Sequence, residues 1–411
     1  MNYPAMYEVH QKYDAAAIDD IPQAVRREFS RLDLSARVKP GQRVGITVGS
    51  RGIASLVPLV SSVVGCLRDM GLEPFILPAM GSHGGAMAAG QTELLKHLGI
   101  TESSVNAPIV SNMDTVSLGR LPSGAQVFFA KDALMADHLV VMNRVKPHTA
   151  FHGPVESGLC KILAVGCGKH EGAHQMHTFG LGESIVPAAE IILEKASVLC
   201  GLALVENPLE QVHTVKLVPP ERFTETDAEL LKLARRMLPK IPLDYLDILV
   251  VDEFGKNISG TGMDPNVIGF WRRFGGPRTP DYRTIVVLDL TDASDGNGVG
   301  VGMAELTTRR VMDKIDIQKT YTNTIASGIF NSAKMPITLE NDKSAMDTSL
   351  GAVPVLEKTA LVRVKNTLML ETFWASEALL PVLRELDHIE IDERPLKMSF
   401  DQKGRLLPFT A

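Results

Sequence analysis

Residues 43–70 read RVGITVGSRGIASLVPLVSSVVGCLRDM. The first six residues form a short apolar run, which predicts a buried strand over Arg43–Val48. Apolar residues recur about every 3.6 positions over residues 55–70, which predicts a helix. The polar, glycine-bearing segment 49–52 joins the two. This stretch therefore predicts one strand–loop–helix unit of an α/β fold.

The same alternation continues along the chain on both sides of this unit. Further strands are predicted at residues 74–78, 138–142, 247–251, 284–290, 361–364 and 367–370, and further helices at 91–98, 183–199 and 227–237. Short apolar strands between helices are typical of parallel sheets that are covered on both faces. Two prolines follow a helix near residue 240. We therefore predict two α/β domains with largely parallel sheets, 1–240 and 241–411, and a cleft between them.

Composition narrows the class of protein. The 411 residues are 45% hydrophobic and 22% charged, which is typical of a globular protein. The net charge of −6 is spread over mixed signs without a basic stripe, so nucleic acid is not an expected partner. Neither a secretory signal nor an apolar run of membrane-spanning length is visible. Four scattered cysteines favour a reducing cytoplasm over a disulfide scaffold. The sequence leaves open whether the protein forms a homo-oligomer.

The strongest functional signal is the stretch of residues 143–177, NRVKPHTAFHGPVESGLCKILAVGCGKHEGAHQMH. It holds five of the chain's eleven histidines beside a glycine-rich turn. Core packing does not require so many titratable side chains, so their number indicates a functional site. Lys161 stands out because it interrupts an apolar run, where a lysine is costly unless it is neutral, paired or covalently used. Alternatively, Lys161 has only a structural role, in which its aliphatic stem packs against the core while its ammonium group reaches water.

Three polar loops leave predicted strands, and ligands of parallel sheets bind at the carboxyl ends of strands. Arg51 lies in the first loop and could hold a carboxylate or phosphate by a two-pronged contact. His83 lies between glycines in the second loop, and His148 follows a proline in the third. His83 is a candidate for acid/base catalysis, with an ordinary turn histidine as the alternative; the proline limits the backbone freedom of His148, and an ordinary surface arginine is the alternative for Arg51.

A rival pattern lies inside the same stretch. Residues 170–174 spell H-E-x-x-H, in which His170 and His174 would bind zinc from one face of a helix. The internal Gly172 weakens a helix there. His177 continues the same face at a spacing of three, so at least one of the three histidines is a candidate metal ligand. A zinc hydrolase is therefore one alternative function, and a non-catalytic small-molecule-binding protein is another.

Taken together, these residues resemble the lactate racemase family, the nickel-pincer-nucleotide-dependent 2-hydroxyacid racemases and epimerases. MGSHGGA resembles the family loop with one catalytic histidine, here His83, and VKPHTAFHGP resembles the segment with the second, here His148. SGLCKILAVG resembles the stretch whose lysine carries the cofactor, here Lys161. The interval from Lys161 to His177 is similar to that between the family's cofactor lysine and its nickel-binding histidine. VGSRGI resembles the loop with a substrate-binding arginine, here Arg51.

The resemblance implies an isomerase that racemises or epimerises a 2-hydroxyacid by reversible hydride transfer. The cofactor would be a lysine-tethered pyridinium-3,5-bisthiocarboxylic acid mononucleotide carrying nickel, and His177 would bind the metal. Enzymes that make this cofactor would then act in trans. Counting from Asp264-Pro265-Asn266 puts Arg272 at a substrate-binding position. The family has an acidic residue where this chain has Val48, so the resemblance implies a substrate other than lactate.

Overall fold

The computed structural model describes residues 2–409, with the side chain at position 326 excepted. The strands in this range are β1 (Met6–Gln11), β2 (Arg43–Val48), β3 (Glu73–Pro78), β4 (Thr115–Arg120), β5 (Gln126–Ala130), β6 (His138–Arg144), β7 (Val198–Glu206), β8 (Val212–Val218), β9 (Tyr245–Val251), β10 (Asp281–Val287), β11 (Leu306–Thr308), β12 (Ile337–Leu339), β13 (Leu361–Val364), β14 (Thr372–Ser376) and β15 (Ile389–Ile391).

The α-helices in the same range are α1 (Ile21–Leu32), α2 (Leu56–Asp69), α3 (Ala88–His97), α4 (Glu102–Val105), α5 (Lys131–Met135), α6 (Leu159–Lys161), α7 (Lys169–Thr178), α8 (Leu181–Lys195), α9 (Phe223–Met237), α10 (Pro265–Ile268), α11 (Trp271–Phe274), α12 (Arg309–Lys314), α13 (Ile317–Ser327), α14 (Asp342–Gly351) and α15 (Leu380–Leu383). No helix of the described part of the chain is both long and apolar enough to cross a membrane.

The chain divides into two compact units, and residues 14–238 form one of them. Within these residues a five-stranded sheet has the order β3-β2-β6-β7-β8, in which only β8 runs antiparallel to its neighbour. Successive side chains of β3 enter different cores. Phe75 and Leu77 pack with residues of α8 and α9, whereas Ile76 packs with residues of α1 and α2. The sheet is therefore buried on both faces, as predicted.

The parallel order places the carboxyl ends of β2, β3 and β6 at one edge of this sheet. Three loops leave that edge: the segment after Val48, the segment after Pro78, and the long segment between Arg144 and Leu159. These are the three loops that the sequence predicted to converge.

The second unit contains the chain before Asp14 and from Pro239 onward. Within residues 2–13 and 239–409 an eight-stranded sheet has the order β12-β11-β10-β9-β13-β14-β1-β15. The strands from β12 to β13 are parallel, and β14, β1 and β15 are joined antiparallel. The predicted α/β class with largely parallel sheets is confirmed.

The placement of the first thirteen residues differs from the predicted division at 240. These residues belong with the second unit because β1 pairs with β14 and β15, with Val9 opposite both Phe373 and Ile391. The predicted strand at 367–370 is wrong. Those residues form a turn, and the next strand, β14, begins at Thr372. The predicted helix 183–199 ends at Lys195, because Val198 already starts β7.

Candidate active site at the carboxyl edge of the five-stranded sheet

Lys161 lies in a short helical turn whose start is fixed by a buried carboxylate. Asp227 of α9 accepts the backbone N–H groups of Leu159 at 2.9 Å and of Cys160 at 2.8 Å. Gly158 precedes this turn with φ +90°, and a Cβ there would collide with the Asp227 carboxylate, so the position needs glycine. A π-helical turn, Ile162–Gly166, follows Lys161 directly. Such turns are frequent at functional sites.

The amine of Lys161 has an unusual ionisation. Burial, as the largest cause, and the positive charges of Arg51 and Lys146 together lower its pKa from 10.5 to about 7, while the Glu156 carboxylate opposes them. Among the described residues, no hydrogen bond or ion pair holds this amine. About half of the lysine is therefore neutral near pH 7, and a neutral amine is a nucleophile.

His83 is held in the loop after β3 by the elements around Lys161. The N–H of Gly81 donates to the carbonyl of Gly166 in the π turn at 3.0 Å. The side-chain amide of Gln91 donates to the carbonyls of Gly81 at 2.9 Å and His83 at 3.3 Å. The ring Nδ1 of His83 hydrogen-bonds the hydroxyl of Ser50 in the loop after β2. The first two loops therefore meet at this histidine.

His83 is exposed to solvent, yet atoms packed around its ring still disfavour the charged form. Desolvation lowers the pKa of His83 from 6.5 to about 4, and the charges of Arg51, Lys161 and His177 act in the same direction. His83 is therefore neutral at physiological pH. Charges affect one another in this way only at short range, so these four side chains lie in one electrostatic neighbourhood.

His177 lies in the last turn of α7. Burial lowers its pKa, and Lys161 and His174 contribute in the same direction. A neutral imidazole is the form that binds transition metals. Arg51 belongs to the same neighbourhood, because its charge lowers the pKa values of His83 and Lys161; desolvation and then the charge of Arg144 lower its own pKa. Arg144 itself pairs with Glu206.

His148 lies in the loop between β6 and α6. Its backbone N–H donates to Glu156 Oε2 at 2.7 Å, and its ring packs on Phe151 with centroids 4.6 Å apart. The N–H of Ala150 donates to His148 Nδ1 at 3.1 Å, which places the proton of the neutral ring on Nε2. Glu156, which also acts on the pKa of Lys161, connects this loop with the lysine.

The structure thus brings together the side chains of Arg51, His83, Lys161 and His177, and it links the His148 loop to them through Glu156. Sequence reasoning missed Glu156, and it missed Asp227 and Gln91, which hold the turn and the loop in place. The available signal for Glu156 was a lone carboxylate in the first half of the 143–177 stretch.

Arg272 belongs to the other unit, where its side chain is only 2% exposed. It donates to the Met303 carbonyl at 2.8 Å, to Glu305 at 2.6 Å and to the Tyr282 carbonyl. These bonds join three segments of its own unit and account for the burial of this arginine. Its contact with a substrate stays a prediction.

The H-E-x-x-H segment is helical despite Gly172, because α7 runs through it. The rings of His170 and His174 are stacked with centroids 6.5 Å apart, and Glu171 accepts the hydroxyl of Thr115. Across residues 2–409, however, no three His, Cys, Asp or Glu side chains lie close enough to hold a metal ion together.

A solved structure of the lactate racemase apoprotein from Thermoanaerobacterium thermosaccharolyticum is similar to this protein, with a TM-score of 0.56. The sequences are 14% identical, and the match covers 87% of this chain and 94% of that chain. No family model and no curated protein matches the sequence. At this identity the match shows a shared fold, a lactate racemase-like α/β fold.

Proposed function

We propose that the protein is an isomerase that racemises or epimerises a 2-hydroxyacid, with a nickel-pincer nucleotide attached to Lys161. One observation carries the proposal: a lysine with a pKa of about 7, held beside imidazoles and an arginine at the carboxyl edge of a parallel sheet. The likeness in fold to a lactate racemase supports it.

The residues fit such a cofactor. The uncharged fraction of the Lys161 amine can be acylated, which is the chemistry that a thioamide or amide tether requires. His177 is neutral and can give one nitrogen to nickel, for which imidazole is a suitable ligand. When bound, this group would accept a hydride from carbon 2 of the substrate and return it.

The side chains of this chain would then move the proton and hold the substrate. In the tautomer whose Nδ1–H donates to the Ser50 hydroxyl, His83 can accept the substrate hydroxyl proton at Nε2. His148 presents Nε2–H and can donate a hydrogen bond to the substrate oxygen. The opposite stereoisomer requires the two histidines to exchange these roles, for which His148 must move its proton from Nε2 to Nδ1 and release the N–H of Ala150.

Arg51 suits the substrate carboxylate, because a guanidinium binds a carboxylate through two parallel hydrogen bonds. A bound carboxylate would offset the charge of Arg51 and so raise the pKa of His83 from about 4 towards neutrality. Substrate binding would thereby turn a weak base into an effective one.

Intact-protein mass after co-expression with cofactor-making enzymes tests the tether. We expect one adduct and one nickel per chain in the wild type and neither in Lys161→Arg, which keeps a side chain of similar length without a nucleophilic amine at neutral pH. Lys131→Arg, at the exposed start of α5, is the control and should load normally. An adduct of unchanged mass on Lys161→Arg would refute the tether.

A screen of paired 2-hydroxyacid stereoisomers with the loaded protein then tests the reaction. We expect interconversion of one pair and little turnover of lactate, because Val48 replaces the family's acidic residue near Arg51. We propose a cytoplasmic location, where the buried free thiols of Cys66, Cys160, Cys167 and Cys200 would stay reduced.

A further inference from the structure

Glu156 is a buried carboxylate in the loop that carries His148. Its side chain is 0% exposed, and it accepts the N–H of His148 at 2.7 Å and the N–H of Gly153 at 2.9 Å. His152 Nδ1 lies 3.2 Å from the same carboxylate, and Arg235 of α9 donates to it at 2.5 Å. A buried carboxylate is costly unless it is paired and hydrogen-bonded, and these partners satisfy it.

The loop depends on these bonds because residues 145–158 form neither helix nor strand. Two further hydrogen bonds join the ends of the loop. The hydroxyl of Ser157 accepts the N–H of Lys146 and donates to the Lys146 carbonyl, each at 2.7 Å. Glu156 binds residues three and eight positions earlier in the chain, so it closes the segment that presents His148.

We propose that Glu156 is a positioning residue that closes the 145–158 loop and sets the position of His148 relative to Lys161. The role of His148 rests on the proposed function, whereas the loop contacts do not. The carboxylate also acts on Lys161, where it raises the pKa against the lowering effects of burial, Arg51 and Lys146. Lys161 in turn lowers the pKa values of His83 and His177.

Hydrogen exchange of the loop tests the positioning directly and needs neither cofactor nor substrate. Glu156→Gln replaces one of the two accepting oxygens with an NH2 group, which cannot accept, so either the N–H of His148 or the N–H of Gly153 loses its partner. We expect peptides covering residues 146–156 to exchange about tenfold faster or more, since hydrogen bonds to charged groups contribute about 1.5–3 kcal/mol. A melting temperature close to that of the wild type shows that the variant is folded.

The chain offers a matched control in Glu28 of α1. Glu28 is also buried, accepts a backbone N–H from Leu217 at 2.9 Å and pairs with Arg31 at 3.0 Å. Glu28→Gln removes an equivalent charge away from the His148 loop. We expect it to leave exchange of residues 146–156 and the titration of Lys161 unchanged.

The titration of Lys161 separates positioning from a purely structural role. Labelling with an amine-reactive acylating reagent across pH gives the apparent pKa of Lys161 in the apoprotein. It should fall in Glu156→Gln, because a negative charge has been removed. It should rise in Arg235→Met, which leaves Glu156 without its guanidinium partner. Opposite shifts in the two variants support the proposal.

Faster loop exchange without a shift in the Lys161 titration would restrict Glu156 to a structural role and overturn the proposal. Unchanged loop exchange would overturn it as well. The proposed function fails separately: if the wild type never carries a cofactor adduct while both Glu156→Gln effects appear, the positioning of the loop stands and the racemase function does not.

Discussion

The ionisation of Lys161 gives the sharpest quantitative prediction. Its pKa of about 7, lowered from 10.5 first by burial and then by Arg51 and Lys146, leaves about half of the amines neutral at pH 7. An amine that kept the value of 10.5 would be neutral in about one molecule in 3,000 at that pH. Lys161 should therefore react with a small acylating reagent about a thousandfold faster, relative to its rate at high pH, than such an amine.

The assay is competitive acylation of the apoprotein at a series of pH values, read by mass spectrometry of the peptide that contains Lys161. Lys131, which is exposed, serves as the internal reference. The rate at Lys161 should reach half of its maximum near pH 7. Arg51→Met should move that midpoint upward, because a positive charge that lowers the pKa has been removed. Arg120→Met, another surface arginine of the same unit, is the matched control.

A midpoint of about 10 or above would refute the reasoning, because the environment would then not favour the neutral amine. A midpoint near 7 that does not move in Arg51→Met would leave burial as the cause and would remove Arg51 from the electrostatic neighbourhood of the lysine.

Four further predictions follow from the same contacts. Because the folded-state pKa of Lys161 is lowered, its ammonium destabilises the fold at and below pH 7, and this penalty disappears as the pH rises to 10.5. Lys161→Met should therefore raise the melting temperature at about pH 6.5 and make it depend less on pH. Parallel plots of melting temperature against pH for the variant and the wild type would contradict this prediction. His83 should titrate near pH 4 by NMR in the apoprotein, and a midpoint near 6.5 would show that its ring is well solvated. Gly158→Ala should lower the free energy of unfolding by about 2–4 kcal/mol in denaturant titrations, since its Cβ would strike Asp227; a loss under about 0.5 kcal/mol would mean that the turn relaxes freely. His174→Ala should keep the adduct and the nickel, whereas loss of bound zinc on that change would favour the zinc-hydrolase alternative.

Local sequence was enough for the elements that build the site edge. Arg43–Val48 of that edge matches its predicted strand to the residue, and so does Leu361–Val364 in the other unit, because each is a short apolar run buried on both sides. The pairing of β1 could not be predicted from local sequence, because its partner β14 lies more than 360 positions away and local residues do not specify which strand pairs with it.

The wrongly predicted strand at residues 367–370 has a local cause, which the apolar pattern of these residues does not reveal. Asn366 accepts the N–H groups of Leu368 at 3.0 Å and of Met369 at 2.9 Å, so its side chain replaces a strand partner and folds the segment into a turn. Leu368 and Met369 are exposed as a result, at 37% and 58%. Asparagine before an apolar pair was the available signal.

The charges around Lys161 explain why this edge of the sheet should hold an anion. Arg51 and Lys161 form no ion pair with a carboxylate among residues 2–409, and Glu156 is already shared between Arg235 and His152. Each cation therefore lowers the pKa of its neighbours, which is an unfavourable arrangement as long as no negative charge enters. A fold gains nothing in stability from such a cluster, whereas a site for a carboxylate or phosphate needs it. Desolvation first, and then the same repulsion, lower the pKa values of the lysine and of the two flanking histidines, His83 and His177, so the charges that attract an anionic ligand also help to prepare their neighbours for nucleophilic attack, proton transfer and metal binding.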